Sequence, residues 1–433
     1  MSAVHPVDRR PGAGELLLGA LQHVGAMYTG VVAPPLVIGA AVGLDPAKLS
    51  LLIGASLFTS GIATLLQTLG IWRFGARLPL VNGVTFASVA PVQAIAEEHA
   101  GPSALGYVYG ATLIGGALMV LLAPVFSRLL TFFPPVVTGT VITLIGVSLL
   151  PVTAQWVADQ KPSANWRDVL LAGFTLLAVL VCNRFLSGVL GRIGLLIGLV
   201  AGTLLAWPLG AIDTSSFSKA EAFGIASPFH FGAPAFDIAA IISIVIAVIV
   251  TMAESTADMI ALGEIVERPT GQRTLADGLR ADGLASAVST VFGGFLATAF
   301  AQNIGVVALT RVRSRYVVAG CGVLLVLLGM FPVVGGIVAL VPQPVLGGAG
   351  IVLFGSVAVA GIRTLTRADL SRPANVAIVA ASLGIGLLPV VAPGFYAHFP
   401  AAVRTIMNSG ISAGCIAAVV LNLVFRERSA REA

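Results

Sequence analysis

The chain has 433 residues, 57% hydrophobic and only 10% charged, with a net charge of +5. A soluble domain carries about 25% charged residues, so this composition excludes an ordinary soluble enzyme and indicates an integral membrane protein. The basic excess then reads as a topology signal, with no implication of nucleic-acid binding.

Charge-free runs cover 49–72, 100–127, 129–158, 193–212, 316–362 and 405–425. Each holds a helix of about 20 residues, and the run 316–362 holds two. The runs are continuously apolar, without the alternation of a membrane β-barrel. Three scattered cysteines (Cys182, Cys321, Cys415) are expected to be free thiols, with no metal site. Residues 1–15 are polar, and the apolar stretch after them reaches Leu44. That is too long for a signal sequence and reads as a first membrane segment.

In chain order, segments are expected near 16–41, 50–72, 79–96, 104–126, 134–152, 168–186, 193–210, 237–262, 281–297, 298–312, 316–335, 343–362, 374–390 and 402–425. The fold class expected is an all-α polytopic membrane protein with fourteen transmembrane segments. With the N-terminus cytoplasmic, nineteen of the 24 basic residues fall inside and five (Lys48, Lys161, Arg167, Lys219, Arg404) outside. That asymmetry obeys the positive-inside rule and puts both termini in the cytoplasm.

Pro135-Val136-Val137-Thr138-Gly139, with Ile142, Leu144 and Gly146, matches Pro344-Val345-Leu346-Gly347-Gly348, with Ile351, Leu353 and Gly355, at an offset of 209 residues. Thr85-Phe86-Ala87-Ser88 matches Ala299-Phe300-Ala301-Gln302 more weakly, at an offset of 214. Two halves of seven segments follow. Because seven is odd, the second half enters from the opposite side, giving a 7+7 inverted repeat. Segments 3 and 10 share an oddity. Only eleven residues separate Pro79 from Pro91, about 17 Å as helix, short of the roughly 30 Å hydrocarbon core. Segment 298–310 is similarly short and follows Gly293-Gly294. Short broken segments at matching places in two halves point to a binding site at the midplane, where a helix N-terminus offers free N–H groups to carbonyl or anionic cargo.

Two polar clusters lie in apolar segments. Glu254 and Asp258 are four residues apart and share one helix face. Acids inside the membrane mark a substrate or ion path by default, and a carboxyl there can carry a proton; the alternative is a buried structural pair. Gln302-Asn303 sits in the charge-free run 283–310. Unpaired amides cost roughly 2–7 kcal/mol each in an apolar medium, so a helix, water or cargo must satisfy them, and helix–helix bonding is the plainer of these. The acids and the amide pair are expected to converge from opposite halves of the repeat. His23 reads as a structural hydrogen-bonding residue or a proton relay.

Gln302-Asn303-Ile304-Gly305-Val306-Val307-Ala308-Leu309-Thr310-Arg311 resembles the signature of the nucleobase–ascorbate transporters (nucleobase:cation symporter-2). That pattern is Gln/Glu/Pro, Asn, any, Gly, four of any type, Thr, then Arg/Lys/Gly, and every fixed position matches. The resemblance extends over nearly the whole chain, through Gln22-His23, Thr85-Phe86-Ala87, and Glu254 with Asp258. It implies a substrate-carrying core domain (1–126 and 233–338) that moves, elevator fashion, against a gate and dimer domain (127–232 and 339–433). It implies that Glu254 binds a ring N–H and carbonyl edge and that Gln302 makes a paired amide contact. Backbone N–H groups near Phe86 and Ala301 would meet carbonyl oxygens, with Phe300 stacking on the ring. Asp258, Asn303, His23 and Thr85 would support the geometry or the ion coupling. Gln at the first signature position is the purine form in this family, Glu the uracil form and Pro the ascorbate form.

The expected function is therefore proton-coupled uptake of xanthine or uric acid across a cell inner membrane by a homodimer. No cofactor, metal or nucleic acid is expected. No nucleophile–base pair or phosphate loop suggests an enzyme. A uracil permease and an anion transporter of the same inverted-repeat kind are the alternatives. An anion path calls for basic residues at the midplane, and none is expected there.

Overall fold

A computed structural model of the chain describes residues 5–99, 101, 103–126, 133–159, 161, 163–186, 193–212, 224, 226–331 and 340–432. Arg128, Arg192 and Lys219, used for the topology, lie outside these residues, and so do the side chains of Gln302, Arg426, Arg428 and Arg431.

The described residues are overwhelmingly helical. The first half contains α1 (Ala13–Ala41), α2 (Pro46–Leu69), strand β1 (Asn82–Val84), a 3-10 turn (Phe86–Ser88), α3 (Val89–Glu98), α4 (Ala104–Leu122), α5 (Pro135–Ser148), α6 (Leu150–Val157), α7 (Trp166–Phe185) and α8 (Gly194–Ala206). The second half contains α9 (Ile238–Ile265), α10 (Gln272–Ser289), strand β2 (Ala297–Ala299), α11 (Ala301–Thr310), α12 (Arg315–Gly329), α13 (Gln343–Leu365), α14 (Pro373–Val391), α15 (Ala401–Asn408) and α16 (Gly410–Glu432). By length and composition, eight stretches can cross a bilayer: α1, α2, α4, α5 with α6, α7, α9, α13 and α14. The protein is multi-pass.

The helix ends are set by local chemistry. Asp45 accepts the N–H of Lys48 at 3.0 Å, and Pro46 opens α2, the usual N-cap arrangement. Asp237 does the same for α9, accepting from Ala240 at 2.8 Å. Asn165 and Asp168 form a capping box at α7.

Packing repeats with the halves exchanged. Helix α2 lies along α12 as α4 lies along α10. Likewise α1 meets α12 as α9 meets α4, and α7–α8 is matched by α14–α16. Helix α5 packs against α13, its own repeat mate. Small residues make the closest approaches. At Gly61 a β-carbon would sit 2.6 Å from the Val326 nitrogen and 2.7 Å from the Gly322 carbonyl oxygen, so only hydrogen fits.

Three segments differ from the sequence reading. Segment 281–297 begins earlier, as α10 from Gln272. Its charges are accommodated: Asp277 pairs with Arg280 at 2.5 Å, and Asp282 is buried among amides. Segment 402–425 is two helices, α15 and α16, divided at Ser409. Segment 134–152 is likewise two, α5 and α6.

Candidate functional site: two broken segments joined by a strand pair

The two segments read as broken are each a short strand followed by a short helix. Strands β1 and β2 pair antiparallel, with Asn82 opposite Ala299, Gly83 opposite Thr298 and Val84 opposite Ala297. The ladder extends through Thr85 N–H to the Leu296 carbonyl (2.9 Å) and Phe300 N–H to the Val81 carbonyl (3.0 Å). Helices α3 and α11 have ten residues each, about 15 Å long. Both lead away from the strand pair, so first-turn N–H groups without intrahelical acceptors gather beside it. Phe300, at the N-cap of α11, caps no N–H with its side chain.

Helix α9 lies beside the strands. Ser255 accepts the Ala299 N–H at 3.2 Å and meets the Thr298 hydroxyl at 3.2 Å. Thr251 meets the Thr85 hydroxyl at 3.2 Å. These contacts place Glu254 and Asp258 in the α9 turns that face the strand pair. Glu254 is half-buried and makes no hydrogen bond among the described residues. Asp258 has one carboxyl oxygen buried without a partner. Two acids a helical turn apart, with open acceptor capacity, can take N–H groups from a ligand.

Asn303 and His23 come together across 280 residues. The Asn303 amide nitrogen donates to His23 Nδ1 at 2.9 Å and to the His23 carbonyl at 3.2 Å. The bond to the carbonyl fixes which way the amide points, and Nδ1, as acceptor, leaves the ring proton on Nε2. Both residues are 1% exposed. The Asn303 amide oxygen is buried with no protein partner. The Phe300 ring is packed over Gly83, where a β-carbon would fall 1.8 Å from it, and lies beside Gly30. At 3% exposure it is part of the wall in this conformation. Phe86 is nearly buried, edge-on to Phe354 at 5.9 Å, and Ala301 is exposed. The Gln302 side chain is not among the described parts of the chain, although its backbone lies in the first turn of α11. Glu254, Asp258 and the amide pair all belong to the second half; the first half reaches the site through His23, Thr85 and β1.

The structure adds a residue that the sequence reading passed over. Asp282 of α10 is 0% exposed. One of its oxygens accepts from Asn82 at 2.5 Å and from Gln67 at 2.8 Å, while the other has no partner. Gln67 also donates to the Gly278 carbonyl at 3.2 Å and accepts the Ala76 N–H at 2.8 Å. Thr64 holds Asn82 from the backbone side, accepting its N–H at 3.0 Å. This network ties α2 and β1 of one half to α10 of the other. The only signal in sequence was an acid between two small residues, Ala281 and Gly283. Arg311, the last signature residue, has φ +57° in the left-handed region. That backbone explains why Gly also serves at this position of the pattern.

Among the described residues there is no cluster of three or more metal-ligating side chains. Around the strand pair lie carboxyls on α9, the Asn303 amide of α11 and first-turn backbone N–H groups, a set of donors and acceptors able to meet a small ligand that presents both.

Solved structures with the same fold include the transmembrane domain of a cyanobacterial bicarbonate transporter, BicA, with a TM-score of 0.64 at 16% identity, covering 94% of this chain and 97% of that one. The murine Slc26a9 anion transporter matches with a TM-score of 0.61 at 12% identity, over 96% of this chain and 70% of that one. Both likenesses concern the inverted-repeat fold alone. Among curated proteins, the uric acid transporter UacT of Escherichia coli is 41% identical over 97% of this chain and 88% of its own length. The xanthine permease of Bacillus subtilis is 39% identical over 96% of this chain and 95% of its own. XanP, a xanthine permease of E. coli, is 32% identical over 98% and 94%. Residues 14–395 match the Xan_ur_permease model, described as a permease family. The chain therefore belongs to the nucleobase–ascorbate transporter family, and is a permease rather than an enzyme.

Proposed function

We propose that this permease imports an oxidised purine, xanthine or uric acid, together with a proton. The observation that carries this reading is the meeting of two short helix N-termini at the strand pair, with Glu254 on the adjoining helix. An oxidised purine is flat and presents alternating N–H and carbonyl groups. In the proposed site Glu254 accepts ring N–H, Gln302 makes the paired amide contact, and backbone N–H groups at Phe86 and Ala301 meet the carbonyls. Asp258, Asn303 with His23, and Thr85 support the geometry or carry the proton. Gln at position 302 and the uric acid and xanthine permeases among the relatives support a purine over uracil.

In this reading fourteen segments form two domains. A core (1–126 and 233–338) carries the strand pair and slides against a gate (127–232 and 339–433), which also forms a homodimer. The membrane is a cell inner membrane, with both termini cytoplasmic. Anion transport is the second reading, favoured by the bicarbonate and anion transporters that share the fold. The described side chains at the strand pair include no Lys or Arg, which counts against a small inorganic anion as the cargo.

The test is uptake of radiolabelled xanthine by cells making the protein. Unlabelled urate or hypoxanthine should compete and uracil should not. Uptake should collapse with a protonophore and ignore sodium. Preferred competition by uracil would replace the purine reading, and a strict sodium requirement would overturn proton coupling.

A further inference from the structure

A polar cavity runs along α3, from Ala90 near the 3-10 turn to Glu97 at the other end. It has a volume of about 410 Å³ and is bounded by α1, α3, α5, α6, α14 and the α15–α16 junction. Its chemistry comes from Gln93 and Glu97 on α3, Ser148 and Gln155 around α5 and α6, and Asn408 at the end of α15. The side chains of Gln93 and Gln155 make no hydrogen bond among the described residues, and the Ser148 hydroxyl is buried without a partner. Two amides on different helices and an orphaned hydroxyl thus leave donors and acceptors open. Beside the cavity, Arg404 of α15 pairs with Glu98 of α3, with its Nε 3.0 Å from the carboxyl. That ion pair holds the two walls together at this end.

The cavity is also linked to the strand pair. Trp156, 3% exposed, lines it. The indole lies 6.2 Å from Phe354, which meets Phe86 edge-on at 5.9 Å. A row of aromatic rings therefore runs from this cavity to the first residue of the 3-10 turn at the site. A volume of this size is ample for one bicyclic heterocycle.

We propose that this cavity is a separate, weaker binding site for a neutral planar heterocycle with alternating N–H and carbonyl groups. Gln93 and Gln155 pair with its edge, Glu97 accepts a ring N–H, and Trp156 forms the floor. The carboxylate disfavours an anionic cargo here, so the site selects the uncharged form of a purine before it meets the strand pair. The proposal rests on the purine reading for its choice of ligand.

Trp156 is also the reporter. Trp72, Trp166 and Trp207 are 79%, 68% and 72% exposed, and each is replaced by Phe. Xanthine is then titrated into the purified protein while Trp156 emission is followed, with free tryptophan as the control for absorbance. Xanthine should quench Trp156 with Glu254→Gln in place as it does without it. In the Gln93→Ala, Gln155→Ala double variant, quenching should need at least about tenfold more xanthine, since two hydrogen bonds are lost. Quenching that disappears with Glu254→Gln, that ignores the double variant, or that never occurs would overturn the second site. Uptake by the unmodified chain is measured alongside. A protein that takes up no purine but keeps the Gln93- and Gln155-dependent quenching would sink the transport reading and leave this site standing.

Discussion

The two strand–helix units at the centre share a backbone plan and differ in what their side chains do. In the first-half unit most polar groups are spent within the protein, although the Asn82 amide oxygen is buried without a partner. Thr85 accepts the Ala87 N–H at 3.2 Å, Ser88 donates to the Thr85 carbonyl at 3.0 Å, and Asn82 reaches Asp282. In the second-half unit β2 runs directly into α11, with no side-chain cap and with Gln302-Asn303 in the first turn. The Asn303 amide oxygen there has no protein partner. In the proposed reading the first-half unit chiefly holds the site together, and the second-half unit offers more of its groups to the ligand.

Substitutions can break that division. The largest effect is expected from Glu254→Gln, beside the second-half unit. Gradient-driven accumulation of xanthine should be lost while thermal unfolding in detergent stays near that of the unmodified protein; full retention of accumulation would remove Glu254 from the mechanism. Gln302→Glu should weaken xanthine competition by roughly 10- to 100-fold, equivalent to about 1.5–3 kcal/mol for a hydrogen bond made or lost by a charged group. Unchanged xanthine affinity would mean that the amide contact is not made.

First-half changes should act on stability instead. Asn82→Ala leaves the Asp282 oxygen with Gln67 alone and should cost about 1–3 kcal/mol. Gly83→Ala drives a methyl group into the Phe300 ring, an overpacking worth roughly 1–3 kcal/mol. Both are read as a lower melting temperature. A lost selectivity with no change in melting would reverse the roles assigned to the two units. The smallest effect belongs to Arg311→Gly. Relief of the left-handed backbone there should shift stability by under about 1 kcal/mol, with uptake retained.

Much of this arrangement was legible in sequence. Continuous apolar runs announced the long helices, because a bilayer demands length and apolarity and little else. The short segments between Pro79 and Pro91 and at 298–310 announced the broken elements. Three-residue strands were invisible, since so short a run shows no alternation. Asp282 was missed because it closes a charged amphipathic stretch, and the charge-free run that drew attention begins at the next residue. Its burial depends on Asn82 and Gln67, 200 and 215 residues away, and no local pattern encodes such partners. The same holds for His23 and Asn303. Outside the membrane the charges behave as expected for a solvated surface. The Arg313 guanidinium beside Glu267 holds that carboxyl below its ordinary range, a contribution present at neutral pH and lost as the pH falls through its lowered pKa.

The central claim is that the cargo sits where α11 begins. Ala301 is exposed there, while Cys182, Cys321 and Cys415 are buried. Ala301→Cys therefore introduces one accessible thiol, and its rate of alkylation by N-ethylmaleimide can be followed with and without ligand. Xanthine should slow that alkylation at concentrations that saturate uptake, and uracil should not. An alkylation rate indifferent to xanthine, in a variant that still transports it, would place the cargo elsewhere and contradict the account.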